Sequence, residues 1–279
     1  AHVRENMFVF IRCLVNDPSF NSQVKEFLTT PMSKFGSKCD LDSKFIDKIA
    51  KMGLMETAMN LSAFKDNKDL KKTDGKKKGT IRGIPKLDDA NWAGTAKSHL
   101  CTLILTEGDS AKALAISGLS VIGRDKYGVF PLKGKVLNVK GDEKNLIKKI
   151  ADNEEIKNLK KIVGLQSQKK YENVNDLRYG SIMFLTDQDE DGSHIKGLLF
   201  NLFQTLWPEL FRMEGFNKSM LTPIVKATNG KTVKSFYNLS DYDKWEKKKG
   251  SGWTIKYYKG LGTSTPKEAK EYFKDMKDW

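Results

Sequence analysis

Two short apolar runs, each followed by a polar turn and a helical pattern, dominate this sequence. The first run covers residues 101–105 and precedes helical spacing of apolar residues over 110–117. The second covers 181–186 and precedes helical spacing over 194–211. Runs so short, made of apolar and β-branched residues, predict buried strands. The alternation of strands and helices predicts an α/β fold with a parallel sheet flanked by helices.

The remaining segments carry weaker patterns. Residues 3–15 are predicted to form a strand that needs partner strands from elsewhere in the protein. Apolar residues at helical spacing predict a helix over 42–64, broken at Gly53, whose methionines and phenylalanines are interpreted as core. The other predicted elements are a strand-like segment at 129–139, a helical stretch over 142–161, strands at 221–227, 235–239 and 253–258, a turn at 259–263 and a helix over 266–276.

Acidic residues follow both apolar runs at the point where each predicted strand ends. Glu107 follows the first strand, and Asp187, Asp189 and Asp191 crowd the turn after the second. Ligands of open α/β sheets bind beyond the carboxyl ends of strands, so we expect these acids to meet at one edge. Mg²⁺ favours such oxygen ligands, usually one or two carboxylates together with substrate phosphates. The alternative is a solvated acidic turn that caps the next helix.

Two other ligand-binding motifs are excluded. Asp187, Asp189 and Asp191 match the opening of an EF-hand loop, but its twelfth position, normally a bidentate glutamate, is Leu198. A strand instead of a helix also precedes the loop. No G-x-x-x-x-G-K-[ST] sequence occurs, which excludes a P-loop nucleotide site.

Charge indicates the class of partner. With 39% hydrophobic and 30% charged residues, the 279-residue chain has the composition of a soluble, core-forming protein. Its formal net charge of +14 indicates a polyanionic partner, with nucleic acid the leading candidate. Lysine and arginine are concentrated in 65–86, which is interpreted as a linker or surface loop that contacts phosphate or is simply solvated.

Cysteines and long apolar runs suggest no further site. Cys13, Cys39 and Cys101 lie too far apart for a C-x-x-C pair, so no zinc site or disulfide framework is indicated. Each is interpreted as a buried thiol in a reducing compartment. No signal peptide is visible, and no run approaches the roughly 18 apolar residues of a membrane span.

Several sequence blocks resemble a known family. A strand that ends in Glu-Gly and a later strand that ends in D-x-D-x-D-G are typical of the Toprim fold. The blocks at 107–111, 131–135, 187–196, 222–226 and 256–263 together resemble type IIA DNA topoisomerases, the eukaryotic topoisomerase II branch. Residues 84–91 resemble the block before the Toprim domain. The implied domains are the C-terminal part of an α+β transducer domain at 1–64, a basic linker at 65–99 and a Toprim domain with a C-terminal extension at 100–279.

The resemblance implies a segment of an ATP-dependent isomerase. It would supply the Mg²⁺ site for transient double-strand DNA cleavage and religation during strand passage, with Mn²⁺ or Ca²⁺ as substitutes. Glu107, Asp187 and Asp189 would be catalytic and would hold the metal, with Asp191 as a further ligand. Glu107 would also be a general acid/base at the leaving 3′-oxygen.

The resemblance also implies binding residues and partners. Lys133, Lys135, Asn138 and Lys259 would contact double-stranded DNA. Gln23 and Lys25 would reach ATP bound to an upstream domain. The full-length enzyme would be a homodimer without membrane contact, located in the nucleus, or in the cytoplasm or a viral factory if it comes from a large DNA virus.

The resemblance also predicts what this chain lacks. The family's nucleophilic tyrosine and ATP-binding domain lie outside the matched blocks, so the chain alone is expected to be inactive. Two other functions remain open at this point. One is a Toprim nuclease or primase that uses the same acids, and the other is a non-catalytic basic DNA-docking module whose acids are structural.

Overall fold

The two apolar runs form neighbouring strands of one sheet in the computed structural model, which describes residues 7–140 and 143–274. The four strands are β1 (Thr102–Glu107), β2 (Tyr127–Leu132), β3 (Ser181–Leu185) and β4 (Asn217–Ser219). Their order is β2-β1-β3-β4, and all neighbours run parallel. The predicted α/β class with a parallel sheet is therefore confirmed.

The chain divides into two units between Asp66 and Asn67. The described part of the first unit contains a 3₁₀ turn at Met32–Lys34, helix α1 (Ser43–Lys51) and the start of helix α2 (Leu54–Lys72). Gly53, at a φ of 75°, separates the two helices. The predicted helical segment and its break at Gly53 are confirmed.

Two sequence interpretations of the first unit are wrong. Residues 7–15 form no strand, and residues 3–6 of the predicted strand lie outside the described residues. A strand needs a partner backbone, and none pairs with 7–15 among the described residues; the side chains of Phe8 and Phe10 are 94% exposed. Phe45 is also 52% exposed and Met52 is 78% exposed, so they are not core residues here.

In the second unit, helices cover both faces of the parallel sheet. They are α3 (Gly108–Ile122), α4 (Glu143–Asp152), α5 (Glu154–Val163), α6 (Glu190–Leu206), α7 (Pro208–Arg212) and, later in the chain, α9 (Pro266–Lys274). Leu103 and Leu105 of β1 pack into one cluster with α5 and α6, while Ile104 packs into another with α3 and α9. Burial on both faces explains why the strands are continuous apolar runs and leaves their ends for ligands.

A smaller antiparallel sheet follows. Its strands are β5 (Val225–Asn229), β6 (Thr232–Phe236) and β7 (Thr254–Tyr257), in the order β6-β5-β7, with helix α8 (Leu239–Glu246) between β6 and β7. The three strands were predicted within a few residues, whereas α8 and the short strand β4 were not. Val225, Ala227, Phe236 and Tyr242 form the core of this sheet.

The segment 65–99 is not a separate linker in the structure. Helix α2 runs through its first residues to Lys72, and residues from Asn67 onward belong to the second unit. Leu70 and Ala90 are buried in the same core cluster as β1. The interpretation as a linker or surface loop is wrong around Asp74 and Asp89, because these acids pair with buried cations of the domain, which a count of net charge does not reveal.

Two such ion pairs hold this segment. Lys160, whose side chain is 1% exposed, places its Nζ 2.8 Å from Asp74 Oδ1. Arg178, equally buried, pairs with Asp89 and donates to the carbonyl oxygen of Gly79 at 2.6 Å. The segment is thus fixed to the domain at several points along its length.

The thiols differ in their environment. Cys101 is buried as predicted, and burial, with a smaller contribution from the charge of Asp89, raises its pKa to about 11. Cys13 and Cys39 are exposed, so their interpretation as buried thiols is wrong. Within 7–140 and 143–274, no helix is both long and apolar enough to cross a bilayer.

Candidate metal centre and nucleic-acid interface

The parallel pairing of β1 with β3 brings the two acidic turns together. Thr106 lies beside Leu185 in the strand register, so Glu107 and Asp187 leave the same edge of the sheet. Oε2 of Glu107 lies 3.4 Å from the backbone nitrogen of Asp187 and accepts its N–H. The predicted meeting at one edge is thus confirmed for Glu107 and Asp187.

Asp187 is half-buried and held closely by backbone. Its Oδ1 accepts the N–H of Leu261 at 2.7 Å. A Cβ at Gly260 would lie 2.4 Å from its Oδ2, and a Cβ at Gly192 would lie 2.1 Å from its carbonyl oxygen. Glycine is therefore required at both positions for the backbone to approach Asp187 this closely.

Asp189 and Asp191 are exposed and have other partners. Asp189 is the N-cap of α6, and its Oδ1 accepts the N–H of Gly192 at 2.8 Å. Asp191 pairs with Lys135 across 2.9 Å, and this contact holds the pKa of Asp191 below its usual value. Asp189 thus has the helix-capping role that the alternative interpretation gave to the acidic turn.

Negative charge accumulates around Glu107. Burial first, and then the charges of Asp187, Asp189 and Asp191, raise the pKa of Glu107, while the N–H of Asp187 opposes the rise. A cation at this edge would relieve the repulsion among these carboxylates.

The carboxylate oxygens at this edge are the kind of ligand that a hard divalent cation prefers. Within 7–140 and 143–274, no group of three Asp, Glu, His or Cys side chains is gathered closely enough to hold a metal ion. The carboxylate of Asp189 instead caps α6, and that of Asp191 pairs with Lys135. Mg²⁺ needs only one or two carboxylates plus substrate phosphates, and Glu107 with Asp187 supplies that pair.

The residues expected to contact DNA are exposed. Lys133, Lys135 and Asn138 follow β2, and Lys259 precedes the turn at Leu261–Thr263. Lys135 reaches the acidic loop through Asp191, and Asn138 Oδ1 accepts from Nδ2 of Asn201 in α6 at 2.9 Å. Two of the four therefore contact the loop or the helix that carries the acids.

The residues expected to reach ATP lie in the first unit. Gln23 and Lys25 are both exposed. Lys25 has a φ of 60°, and its N–H donates to the carbonyl oxygen of Ser22 at 3.1 Å. The role of both residues stays a prediction.

Comparisons with known proteins agree with this geometry. A family model described as the Toprim domain matches residues 102–218, and one described as the C-terminal associated domain of Toprim matches 220–279. The chain is 52% identical to DNA topoisomerase 2 of Pisum sativum over 99% of its length and 54% identical to that of Drosophila melanogaster over 98%. It belongs to the eukaryotic type II DNA topoisomerase family.

A solved structure agrees with this placement. The Plasmodium falciparum topoisomerase II DNA-binding, cleavage and re-ligation domain is 53% identical and superposes with a TM-score of 0.68, covering 71% of this chain and 27% of that one. The chain spans 19% of the length of the pea and fruit-fly topoisomerases. These matches favour the topoisomerase interpretation over a Toprim nuclease, a primase or a docking module, and none of the relatives named here is viral.

Sequence reasoning about the topoisomerase II blocks missed part of the site. The backbone N–H of Leu261 contacts the Asp187 carboxylate directly, and the Glu268 carboxylate contacts residues on both sides of that turn. The spacing of Thr265 and Glu268 matches a capping box, which was a readable signal for the second contact. The contact with Asp187 has no such signal because it uses a backbone N–H.

Proposed function

We propose that this chain supplies the divalent-metal site of a type II DNA topoisomerase. The enzyme would cleave and religate both strands of one duplex while another duplex passes through. The observation that carries this proposal is the contact of Glu107 with Asp187 at adjoining strand ends, in a chain more than 50% identical to DNA topoisomerases 2 along nearly all of its length. The chain would contribute metal and DNA binding, whereas the nucleophile and the ATPase would come from other parts of the enzyme.

The proposed metal is Mg²⁺, held by Glu107 and Asp187 with Asp189 and Asp191 as further ligands. These carboxylates would hold the cation where it would stabilise negative charge on the scissile phosphate and the leaving oxygen. Mn²⁺ and Ca²⁺ also prefer oxygen ligands and would bind in its place. Glu107 has a second proposed role as general acid/base at the leaving 3′-oxygen.

Lys133, Lys135, Asn138 and Lys259 are proposed to contact the phosphates of double-stranded DNA. All four side chains are exposed, and they follow β2 or precede the turn at Leu261–Thr263. The net charge of +14 also supports this role. Asp191 would exchange its contact with Lys135 for the metal when DNA binds. Gln23 and Lys25 are proposed to contact ATP in a homodimeric, nuclear enzyme.

DNA binding by this chain tests the proposal. Replacing Lys135 or Lys259 with alanine is expected to weaken binding to a short duplex for all sequences alike. The slope of log K against log salt concentration should become shallower by about 1 for each lysine lost, because fewer counterions are released. Fluorescence anisotropy across a salt series measures both quantities.

Lys126→Ala is the matched control for the lysine variants. Lys126 is also exposed, but it immediately precedes β2 and lies at the opposite end of that strand from Lys133 and Lys135. Its loss removes the same charge and should leave the salt slope unchanged. An equal loss of affinity in all three variants would mean that net charge alone binds DNA and would contradict the assigned surface.

A further inference from the structure

The carboxylate of Asp187 is oriented by a backbone turn. The N–H of Leu261 donates to Oδ1 at 2.7 Å. The neighbouring Gly260 has a φ of 90°, and a Cβ there would lie 2.4 Å from Oδ2. Residues 260–261 therefore contact or closely approach both oxygens of one carboxylate, and their position decides which lone pairs remain for a ligand.

The turn is itself fixed by Glu268, in the first turn of α9. One carboxylate oxygen accepts the hydroxyl of Tyr258, and Lys256 Nζ lies 2.9 Å from both oxygens. Oε2 also accepts the N–H of Thr265 at 2.7 Å, and Thr265 Oγ1 accepts the N–H of Glu268 at 3.3 Å. One side chain thus joins residues before the turn to residues after it.

The Glu268 contacts favour a permanently ionised carboxylate. Its side chain is 16% exposed. Burial alone would raise its pKa, but the donors from Thr265, Tyr258 and Lys256 outweigh burial and lower the pKa to about 2. Charge-assisted hydrogen bonds of this kind are stronger than neutral ones, so the anchor persists at neutral pH.

We propose that Glu268 is a positioning residue that, through the turn at Gly260 and Leu261, holds the Asp187 carboxylate in its metal-binding orientation. This inference rests on the proposed function, because Asp187 has to be a metal ligand for its orientation to matter. Groups that orient a metal ligand without touching the metal typically change affinity by about 10–100-fold when they are substituted. Disturbing the contacts of Glu268 or the turn is therefore expected to lower metal affinity within this range.

Binding of Mn²⁺ to this chain, followed by electron paramagnetic resonance, tests the positioning role without requiring activity. Gly260→Ala is expected to lower Mn²⁺ affinity about 10–100-fold, because its Cβ would displace the Asp187 carboxylate. Gly123→Ala is the matched control. Gly123 has a φ of 85°, so alanine there meets a similar backbone strain, but nothing lies within 4 Å of its Cβ. The Gly123→Ala variant should bind Mn²⁺ as tightly as the unsubstituted chain does.

Glu268→Gln tests the same inference without a backbone change and is expected to lower the affinity about tenfold. Glu271→Gln removes the same charge from the same helix, where Glu271 pairs with Lys226 across 3.4 Å and is 51% exposed, and should bind Mn²⁺ normally. Thermal unfolding of every variant shows whether a change in affinity merely follows a loss of stability.

The outcomes separate the two proposals. If Gly260→Ala and Glu268→Gln bind Mn²⁺ like their controls while Asp187→Asn does not, the positioning role is wrong and the metal site stands. If Asp187→Asn also binds Mn²⁺ normally, the metal site itself is wrong. Weaker binding in Asp187→Asn, Gly260→Ala and Glu268→Gln, with intact binding in both controls, supports the positioning role.

Discussion

Replacing Asp187 with asparagine is expected to lower the affinity of this chain for Mn²⁺ by about 100-fold or more. Asparagine keeps an oxygen that can accept the N–H of Leu261, so the turn against the carboxylate should survive. It loses the negative charge that lies beside Glu107. Substitution of groups that only orient a ligand already costs about 10–100-fold, so loss of a direct ligand should reach at least the upper end of that range.

Isothermal titration calorimetry measures this effect, and Asp109→Asn is its control. Asp109 lies two residues after Glu107 and is exposed, but it pairs with Lys86 across 2.5 Å and is not assigned to the metal. Both variants change the net charge equally. Unchanged binding in Asp187→Asn, or an equal loss in both variants, would contradict the assignment of Asp187.

Replacing Asp89 with alanine is expected to lower the free energy of unfolding by about 3–5 kcal/mol, because it leaves a buried guanidinium without its counter-charge. Arg178 is 1% exposed, and its hydrogen bonds to the carbonyl oxygens of Ile162 and Gly79 supply no counter-charge. The hydroxyl of Tyr179 would lose its acceptor as well, since it donates to Asp89 Oδ1 at 2.5 Å. Urea denaturation of the chain measures the change.

Asp176→Ala provides the comparison for Asp89→Ala. Asp176 also pairs with a cation, Lys169, across 2.8 Å, but its side chain is 60% exposed. Pairs of this kind contribute about 0–1 kcal/mol. Similar losses in the two variants would show that the Arg178 pair does not hold the segment around Asp89 to the domain.

The sheet and the meeting of the acids could be predicted from sequence because both follow from local patterns and topology. Continuous apolar runs at β1 and β3 reflect burial on both faces, and parallel neighbours end at the same edge. Glu107 and Asp187 follow those ends directly. The capping role of Asp189 was anticipated only as an alternative to metal binding, and the structure gives it the capping contact.

Contacts between distant residues could not be predicted in the same way. Leu261 and Asp187 lie 74 positions apart and meet through a backbone N–H, which any residue type except proline could supply. The summed charge of 65–86 predicts a solvated segment, whereas Asp74 within it pairs with buried Lys160 and Asp89, just beyond it, pairs with buried Arg178. Residues 7–15 are an almost continuous apolar run like a buried strand, but a strand also needs a partner, which a single segment does not encode.

Anomalous scattering from crystals of this chain soaked in Mn²⁺ would test most directly whether Glu107 and Asp187 hold one cation together. The expected result is an anomalous peak within about 2.0–2.6 Å of a carboxylate oxygen from each residue, the distance range of hard divalent cations. A peak only at exposed acids such as Asp191, or no peak between Glu107 and Asp187 in a well-ordered crystal, would contradict the shared site.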